Sequence, residues 1–283
     1  MLRLLMQRWL RDAAREAVLK QATAGAEPVD LGCEIGFVFA MGMEAAGLLD
    51  QLGEARHVRG DGFRATVGTL AGRRVGLVVT GMRRDAARRG TLALVEGHRP
   101  RWVISAGYSG GLQPQAKLGD IVLAERVVDC AGEAIDVDLR IDRQSARQSG
   151  LHIGSLVTVD ELVCEPADKA ELGRRHEALA VDMESYAVAA ACRERGTPFL
   201  AVRIVSDDVE SRLPPFLDQY SHQKSLSGKA GVVLGALAKR PSNFKTMYKM
   251  REESLMLSDR LARFLTSLVR ELSPGVDAEP RAR

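Results

Sequence analysis

The stretch AVDMESYAVAAACRERGTPFLAVRIVSDDV, residues 180–209, contains one helical pattern between two apolar strand patterns. The helix is expected to begin near Met183 and to end at Gly196, because glycine suits the left-handed position after a helix and Pro198 prevents its continuation. The flanking strands are expected at residues 178–181 and 199–205. Apolar strands separated by a helix are typical of a parallel sheet that is covered on both faces.

The same alternation runs through most of the chain. Further strands are predicted at residues 35–41, 75–80, 102–106 and 121–128, and further helices at 44–52, 85–96, 166–176 and 241–272. We therefore predict an α/β fold of three layers, α/β/α, with a central, largely parallel (mixed) sheet. The predicted organisation is an amphipathic helix and linker (1–30), the sheet domain (31–240) and a helical appendage with a disordered tail (241–283).

Two groups of charged residues stand out in the opening stretch, because burying a charge is costly unless it is paired or used. Glu184 is predicted in the first turn of the helix, and Asp207 follows the carboxyl end of a strand, where open α/β sheets place their ligands. The two carboxylates can therefore face a common crevice. Alternatively, each acid only serves a helix end, and Arg203 pairs with one of them.

Composition narrows the classes of function. The formal charge is only +3, with five His and four Tyr, so nucleic-acid binding is not expected. No metal or other cofactor and no disulfide framework is expected, because the cysteines are widely spaced: Cys33, Cys130, Cys164 and Cys192. Residues 1–22 carry too many arginines for a signal peptide or a membrane span, and a cytoplasmic location is expected.

Two more strand ends carry candidate site residues. The sequence GYSGG at residues 107–111 is predicted to form a glycine turn after a strand, where backbone N–H groups can approach a ligand. Glu44 opens a helix after the first strand, with Leu48, Leu49 and Leu52 expected to face inward. Glu44 is therefore a third carboxylate at a junction of a strand and a helix.

Four motifs in this order resemble the nucleoside phosphorylase and nucleosidase superfamily, most closely its methylthioadenosine/S-adenosylhomocysteine nucleosidase branch. They are MGMEAAGLL, VVTGMRRDAA, VISAGYSGGLQPQAKLGDIVLA, and AVDMESYAVAAAC with PFLAVRIVSDD. The resemblance implies the central sheet of that superfamily and a small-molecule nucleoside substrate. It also implies a homo-oligomer.

The resemblance assigns roles to the matching residues. Asp207, beside Ser206, protonates or hydrogen-bonds N7 of the leaving purine; Glu184 binds the ribose hydroxyls with Met183 against the sugar; Glu44 deprotonates the attacking water; Arg203 lies near the water and ribose. The remaining predicted substrate-binding residues are Gly107, Tyr108, Ser109, Gly110, Leu162 and Val163. Asp207 is expected to be protonated near neutral pH, whereas Glu184 and Glu44 are expected to be ionised opposite a cationic sugar.

The main prediction is hydrolysis of a 5′-substituted adenosine to adenine and the substituted ribose. Hydrolysis is favoured because the first loop reads MGMEA and Ser105 precedes the glycine turn, where phosphorylases of this superfamily carry phosphate-binding residues. A phosphorylase remains the runner-up, because a helix start rich in arginine can hold an anion. Three of these four arginines are expected on a solvated face: Arg83, Arg84, Arg88 and Arg89.

Two other functions stay open. Residues 235–265 are similar to the tail of the hopanoid-associated nucleosidases, which implies a lipid-linked adenosine such as adenosylhopane as an alternative substrate. The end helices could then make peripheral membrane contact, or they could pack on the core or across a dimer. The last alternative is a nucleoside-binding protein without turnover, since a fold alone does not ensure activity.

An apolar stripe of the last helix is predicted from Phe244, Met247, Tyr248, Leu255, Leu261 and Phe264.

Overall fold

The computed structural model of the chain describes residues 32–60, 63–137, 151–214, 217 and 243–272. The predicted amphipathic helix at residues 1–22 and the predicted disordered tail at 273–283 lie outside these described residues. The predicted contact of the first helix with a membrane or a dimer partner therefore stays a prediction.

Every strand and helix predicted within the described residues is present, together with four strands that the sequence patterns did not predict, at residues 53–60, 63–70, 134–136 and 151–158. The strands are β1 (Ile35–Phe39), β2 (Gly53–Gly60), β3 (Phe63–Leu70), β4 (Arg73–Val79), β5 (Trp102–Gly111), β6 (Ile121–Asp129), β7 (Ala134–Asp136), β8 (Leu151–Thr158), β9 (Ala178–Asp182) and β10 (Phe199–Asp207). The helices are α1 (Gly42–Leu49), α2 (Arg84–His98), α3 (Pro166–His176), α4 (Ser185–Glu194) and α5 (Asn243–Glu271). Within the described ranges, no helix is both long enough and apolar enough to cross a lipid bilayer.

The strands form one mixed sheet that closes on itself at one end. β5 pairs with β10, β10 with β6, β6 with β8, β8 with β9, and β9 returns to β5. From β5 the sheet also extends through β1 and β4 to the hairpin β2–β3. Parallel pairs join β1 to β4 and β5, β5 to β10, and β8 to β6 and β9, while the other described pairs are antiparallel. The predicted fold class is confirmed, with a more evenly mixed sheet.

Helices cover both faces of the sheet and make three layers. Alternate residues of a strand point to opposite faces. Phe37 and Phe39 of β1 pack in the cluster that contains α1 and α5, whereas Val38 packs in the cluster that contains α2 and α4. The near-continuous apolar sequence of β1 follows from this two-sided burial, because every residue of the strand is buried.

Helix α5 belongs to the core of the sheet domain. Leu261 and Leu265 are fully buried in the same cluster as Phe37. At the other contact, the Gly47 N–H donates to Ser258 Oγ over 2.9 Å, and a Cβ at Gly47 would lie 2.7 Å from the Ser258 carbonyl oxygen. These contacts agree with the alternative that the last helix packs on the core, because α1 and the sheet leave an apolar face that α5 covers.

The predicted apolar stripe of α5 is confirmed only in part. Leu261 is buried and Phe264 packs against the core, but the side chain of Leu255 is 51% exposed. The structure does not describe the side chains of the other three members, which lie in residues 244–248. The sequence of α5 does not define a single apolar stripe, because its many apolar residues fit more than one helical face.

Replacing Leu265 by alanine should destabilise the whole protein. Leu265 is 0% exposed, and truncating a buried leucine costs about 2–5 kcal/mol through lost burial and the cavity that remains. The control is Leu255→Ala on the same helix, which should change the free energy of unfolding by about 0.5 kcal/mol or less. Urea unfolding measures both; equal and small effects would show that α5 is dispensable for the fold.

Candidate active site

Three carboxylates gather at one end of the sheet. Glu44 lies in the first turn of α1, Glu184 directly precedes α4, and Asp207 ends β10. All three follow the carboxyl ends of strands, which is where α/β sheets place their ligands. The prediction that they share a crevice agrees with the packing, because Glu44 and Asp207 both lie against β5 and Glu44 acts electrostatically on Glu184.

The glycines of GYSGG make room for two of these carboxylates. These glycines lie within strand β5, which runs to Gly111, so the prediction of a turn after residue 106 is wrong. A Cβ at Gly107 would lie 2.8 Å from Glu44 Oε1, and a Cβ at Gly110 would lie 3.2 Å from Asp207 Oδ2. A side chain at Gly107 would require the Glu44 carboxylate to shift, and one at Gly110 would press on Asp207.

Backbone N–H groups hold both oxygens of Glu44. The Tyr108 N–H donates to Oε1 over 3.0 Å, and the Met41 N–H donates to Oε2 over 2.8 Å, as in a helix capping box. Glu44 is only 4% exposed, and this burial raises the pKa of its carboxyl, against the lowering effect of the N–H groups and of Arg203. Glu44 is thus a fixed and desolvated acid or base.

Glu184 is held by an unusual backbone conformation. Its Oε1 accepts the Arg83 N–H over 2.7 Å, and Arg83 has φ 84°, which non-glycine residues rarely adopt. Burial, followed by the negative charges of Asp182 and Glu44, raises the pKa of Glu184 to about 8. This raised pKa runs against the expectation that Glu184 is ionised at neutral pH, and burial also works against ionised Glu44.

Asp182 and Arg203 are paired supports. Arg203 Nε donates to Asp182 Oδ2 over 2.7 Å, and Arg203 Nη2 donates to Ser105 Oγ over 2.8 Å. Thr158 Oγ1 donates to Asp182 Oδ1 over 2.7 Å. Arg203 was predicted to pair with an acid at the end of an element or to lie near the ribose. Its partner is Asp182, the acid that ends β9, and its charge acts on Glu44 and Glu184 from there.

Asp207 has a buried lysine as its partner. Lys169 Nζ donates to Asp207 Oδ2 over 2.5 Å, and Ser206 Oγ donates to Oδ1 over 2.7 Å. Lys169 is 0% exposed. Lys169 is not among the site residues predicted from the sequence. Its spacing does indicate burial, because Lys169 is four residues before Gly173 and both lie on the face of α3 that turns toward the core.

A cavity with aliphatic walls adjoins Asp207. The side chains of Leu162, Val163 and Met183 line it together with Gly110 and Asp207. The predicted aliphatic walls and the predicted acid are therefore brought together. Glu161 and Asp182 also border this cavity, so its walls combine aliphatic side chains with three acidic residues.

Two other predicted residues contact protein groups. Tyr108 donates its OH to the Ser254 carbonyl oxygen of α5 over 2.6 Å, so its side chain turns toward that helix. Ser109 is 4% exposed, and its Oγ has no hydrogen-bond partner among the described residues. The carbonyl oxygen of Ser109 accepts the Ser206 hydroxyl over 3.2 Å.

The arginine-rich start of α2 is largely neutralised by acids. Arg84 pairs with Asp160 over 2.8 Å and with Asp129 over 3.7 Å, and Arg88 pairs with Glu194 over 2.6 Å. Of the four arginines, Arg88 and Arg89 are exposed, whereas Arg83 and Arg84 are half-buried. The expectation of three on a solvated face is wrong, because Arg84 reaches the loops that follow β6 and β8.

The family model described as "Phosphorylase superfamily" matches residues 34–237. The chain belongs to the phosphorylase superfamily. The 5′-methylthioadenosine/S-adenosylhomocysteine nucleosidase of Shewanella sp. (strain W3-18-1) is 27% identical over 210 residues, which cover 66% of this chain and 91% of that protein. All three carboxylates of the candidate site lie inside the matched family region.

Solved structures have the same fold. The S. pneumoniae 5′-methylthioadenosine/S-adenosylhomocysteine nucleosidase with a transition-state inhibitor has a TM-score of 0.64 at 20% identity, covering 84% of this chain and 99% of that one. A futalosine hydrolase mutant of Helicobacter pylori has a TM-score of 0.63 at 18% identity, with coverages of 84% and 99%. The superfamily fold predicted from the four motifs is confirmed.

The stability of this superfamily member should depend on pH through Glu184. Its pKa of about 8 exceeds the ordinary 4.5, so the folded state binds an extra proton between these pH values. The stabilising contribution is complete below pH 4.5 and is lost as the pH rises through about 8. Relative to Glu184→Gln, the wild type should lose up to about 1.4 kcal/mol per pH unit in this window.

Urea unfolding of both proteins between about pH 5 and 8 measures this difference. Glu194→Gln, at an exposed carboxylate on α4, is the matched control for removing one negative charge from the same helix. A difference between wild type and Glu184→Gln that is constant with pH would contradict the burial argument.

Proposed function

We propose that the chain hydrolyses the N-glycosidic bond of a 5′-substituted adenosine and releases adenine and the substituted ribose. One observation carries the proposal: Asp207 borders a cavity with aliphatic walls and packs on β5, against which Glu44 also packs close enough to Glu184 to act on its charge. Cleaving a nucleoside needs an acid at the base and negative charge at the sugar. The names of the curated relatives support the same reaction.

At the base, Asp207 would act as the general acid. The bond between C1′ and N9 breaks, its electron pair stays with the purine, and Asp207 delivers a proton to N7. Leu162 and Val163 would pack on the faces of the ring, since both line the cavity. General acid assistance contributes typically about 10²–10⁴-fold to the rate.

At the sugar, Glu184 would hold the ribose hydroxyls beside Met183. Burial raises the pKa of the Glu184 carboxyl to about 8, which favours its protonated form near neutral pH. A positive charge that develops on the sugar favours the ionised carboxylate. The interaction is therefore stronger in the transition state than in the ground state, which is the condition for acceleration.

Glu44 would take a proton from the attacking water. Two backbone N–H groups fix its carboxylate, so the base is oriented before the substrate arrives. Burial raises the pKa of Glu44, which makes it a stronger base. The hydroxyl from the water adds to C1′, and the water proton goes to Glu44.

Hydrolysis is supported over phosphorolysis by the commitments of two residues. Arg84 pairs with Asp129 and Asp160, and Ser105 accepts a bond from Arg203. Both are thereby engaged by protein groups. Homo-oligomerisation, a cytoplasmic location and peripheral membrane contact remain predictions.

A larger apolar 5′ group is the second candidate. Met43, next to Glu44, is 47% exposed, and its sulfur accepts the Ser254 hydroxyl of α5 over 3.6 Å. Such a side chain can pack against an apolar substituent, as a lipid-linked adenosine would carry. The test is a series of 5′-alkylthioadenosines of rising chain length: kcat/KM that rises with length supports this candidate, and a steady decline rejects it.

The proposed reaction is tested by following adenine release from 5′-methylthioadenosine and S-adenosylhomocysteine, with and without phosphate. The expected result is free substituted ribose in the absence of phosphate. A sugar 1-phosphate that forms only with phosphate would assign a phosphorylase instead. Tight binding of both nucleosides without any turnover would leave a binding protein.

Asp207→Asn should lower kcat by about 10²–10⁴-fold with little change in substrate affinity, because an amide can hydrogen-bond N7 but cannot transfer a proton to it. Single-turnover kinetics and calorimetric titration measure the two quantities. The matched control is Asp208→Asn, since the Asp208 side chain bonds Ser211. An Asp207→Asn variant that turned over normally would remove the acid role from this position.

A further inference from the structure

A lysine is fully buried beside Asp207 in the candidate site. Lys169 is 0% exposed, and an ammonium taken out of water costs several kcal/mol unless its partners compensate. Its Nζ donates to Asp207 Oδ2 over 2.5 Å, to the Asp208 carbonyl oxygen over 3.0 Å and to the Ser211 carbonyl oxygen over 2.8 Å. These three bonds use all the donors of an ammonium group.

Both oxygens of Asp207 are therefore held. Ser206 donates to Oδ1, and Lys169 donates to Oδ2 on the side where Gly110 leaves space. Asp207 and Gly110 border the cavity, while Lys169 is not among the residues that line it. Lys169 can thus act on a ligand in the cavity only through Asp207.

We propose that Lys169 is the positioning residue and proton reserve of the acid Asp207. This inference rests on the proposed function and goes beyond it, because it names the group that supplies Asp207 with its proton. The N–H of Lys169 that points at Asp207 Oδ2 carries the proton that can move to this oxygen. The acid is then the pair, and Asp207 is the member that touches the base.

The proton balance is complete without another reactant. As the bond between C1′ and N9 breaks, Asp207 passes a proton to N7, and Nζ of Lys169 passes one to Asp207. Water adds its hydroxyl to C1′ and its proton to Glu44. After the products leave, Glu44 returns a proton to solvent and the amine of Lys169 takes one up.

A purely structural role makes a different prediction. Two of the three bonds of Lys169 hold the backbone at Asp208 and Ser211, so the residue could serve only to anchor this segment. Loss of an anchor would slow every substrate that binds the site. Loss of a proton reserve would slow only substrates whose leaving group must be protonated.

The experiment compares two substrates, 5′-methylthioadenosine and 4-nitrophenyl 5-methylthio-β-ribofuranoside, whose nitrophenolate leaves without a proton. Lys169→Met keeps an unbranched apolar stem and removes the ammonium. It should lower kcat on the nucleoside by about 10²-fold or more, and on the nitrophenyl riboside by about tenfold or less. Lys169→Gln, which keeps an N–H donor, should show the same split.

Further variants show whether the loss comes from the contact of Lys169 with Asp207, from the removal of a positive charge, or from unfolding. Lys117→Met removes another cation that acts on Asp208 and should leave both rates close to wild type. In an Asp207→Asn background, Lys169→Met should cause no further loss on the nucleoside, because Lys169 acts through Asp207. Thermal unfolding of each variant shows which proteins are folded. If Lys169→Met is unfolded, the rates of Lys169→Gln on the two substrates provide the test.

Each outcome is decisive. Equal losses on both substrates, or no loss on either, would overturn the role of Lys169 while the nucleosidase activity of the wild type still stands. A wild type that cleaves neither substrate would remove the proposed function and this inference with it. A loss confined to the nucleoside establishes the pair as the acid.

Discussion

The buried ion pair between Arg203 and Asp182 is the interaction on which the site depends. Arg203 lies on β10 and bonds Ser105 of β5, while Asp182 ends β9 and bonds Thr158 of β8. Asp182 also accepts the Ser185 N–H at the start of α4. One pair thus ties four strands of the closed ring and one helix. Removing one partner leaves an uncompensated buried charge. Such a change would destabilise the ring of strands and, with it, the site.

The closed ring also explains how several ionisable groups come to be buried together. β5 carries two glycines at which Glu44 and Asp207 pack directly on the strand backbone. Glu184 reaches the same region from the start of α4, and its proton is held by burial and by neighbouring acids. These groups are desolvated in advance, which strengthens their action on a charge that develops in the cavity. The same burial makes each of them costly to the folded state.

Some features could be predicted because they are local. The strand and helix periods, the glycine that ends α4 and the position of Glu44 at a helix start are written in neighbouring residues. Other features could not. Strand β2 of the β2–β3 hairpin is mostly polar and exposed, so its sequence lacks the apolar run that predicts a buried strand. The glycines of GYSGG predict a turn, and only the approach of Glu44 and Asp207 in the folded chain explains why glycine occurs inside β5.

The sequence by itself determined the α/β class, the five helices, six of the ten described strands and the three carboxylates, since each depends on residues close together in the chain. Only the tertiary structure decided the partners: Asp182 for Arg203, Lys169 for Asp207, and the core for α5. Partners are set by which distant segments the ring closure brings within hydrogen-bond distance. A single sequence carries no local pattern for a contact between residues 38 positions apart, as Lys169 and Asp207 are.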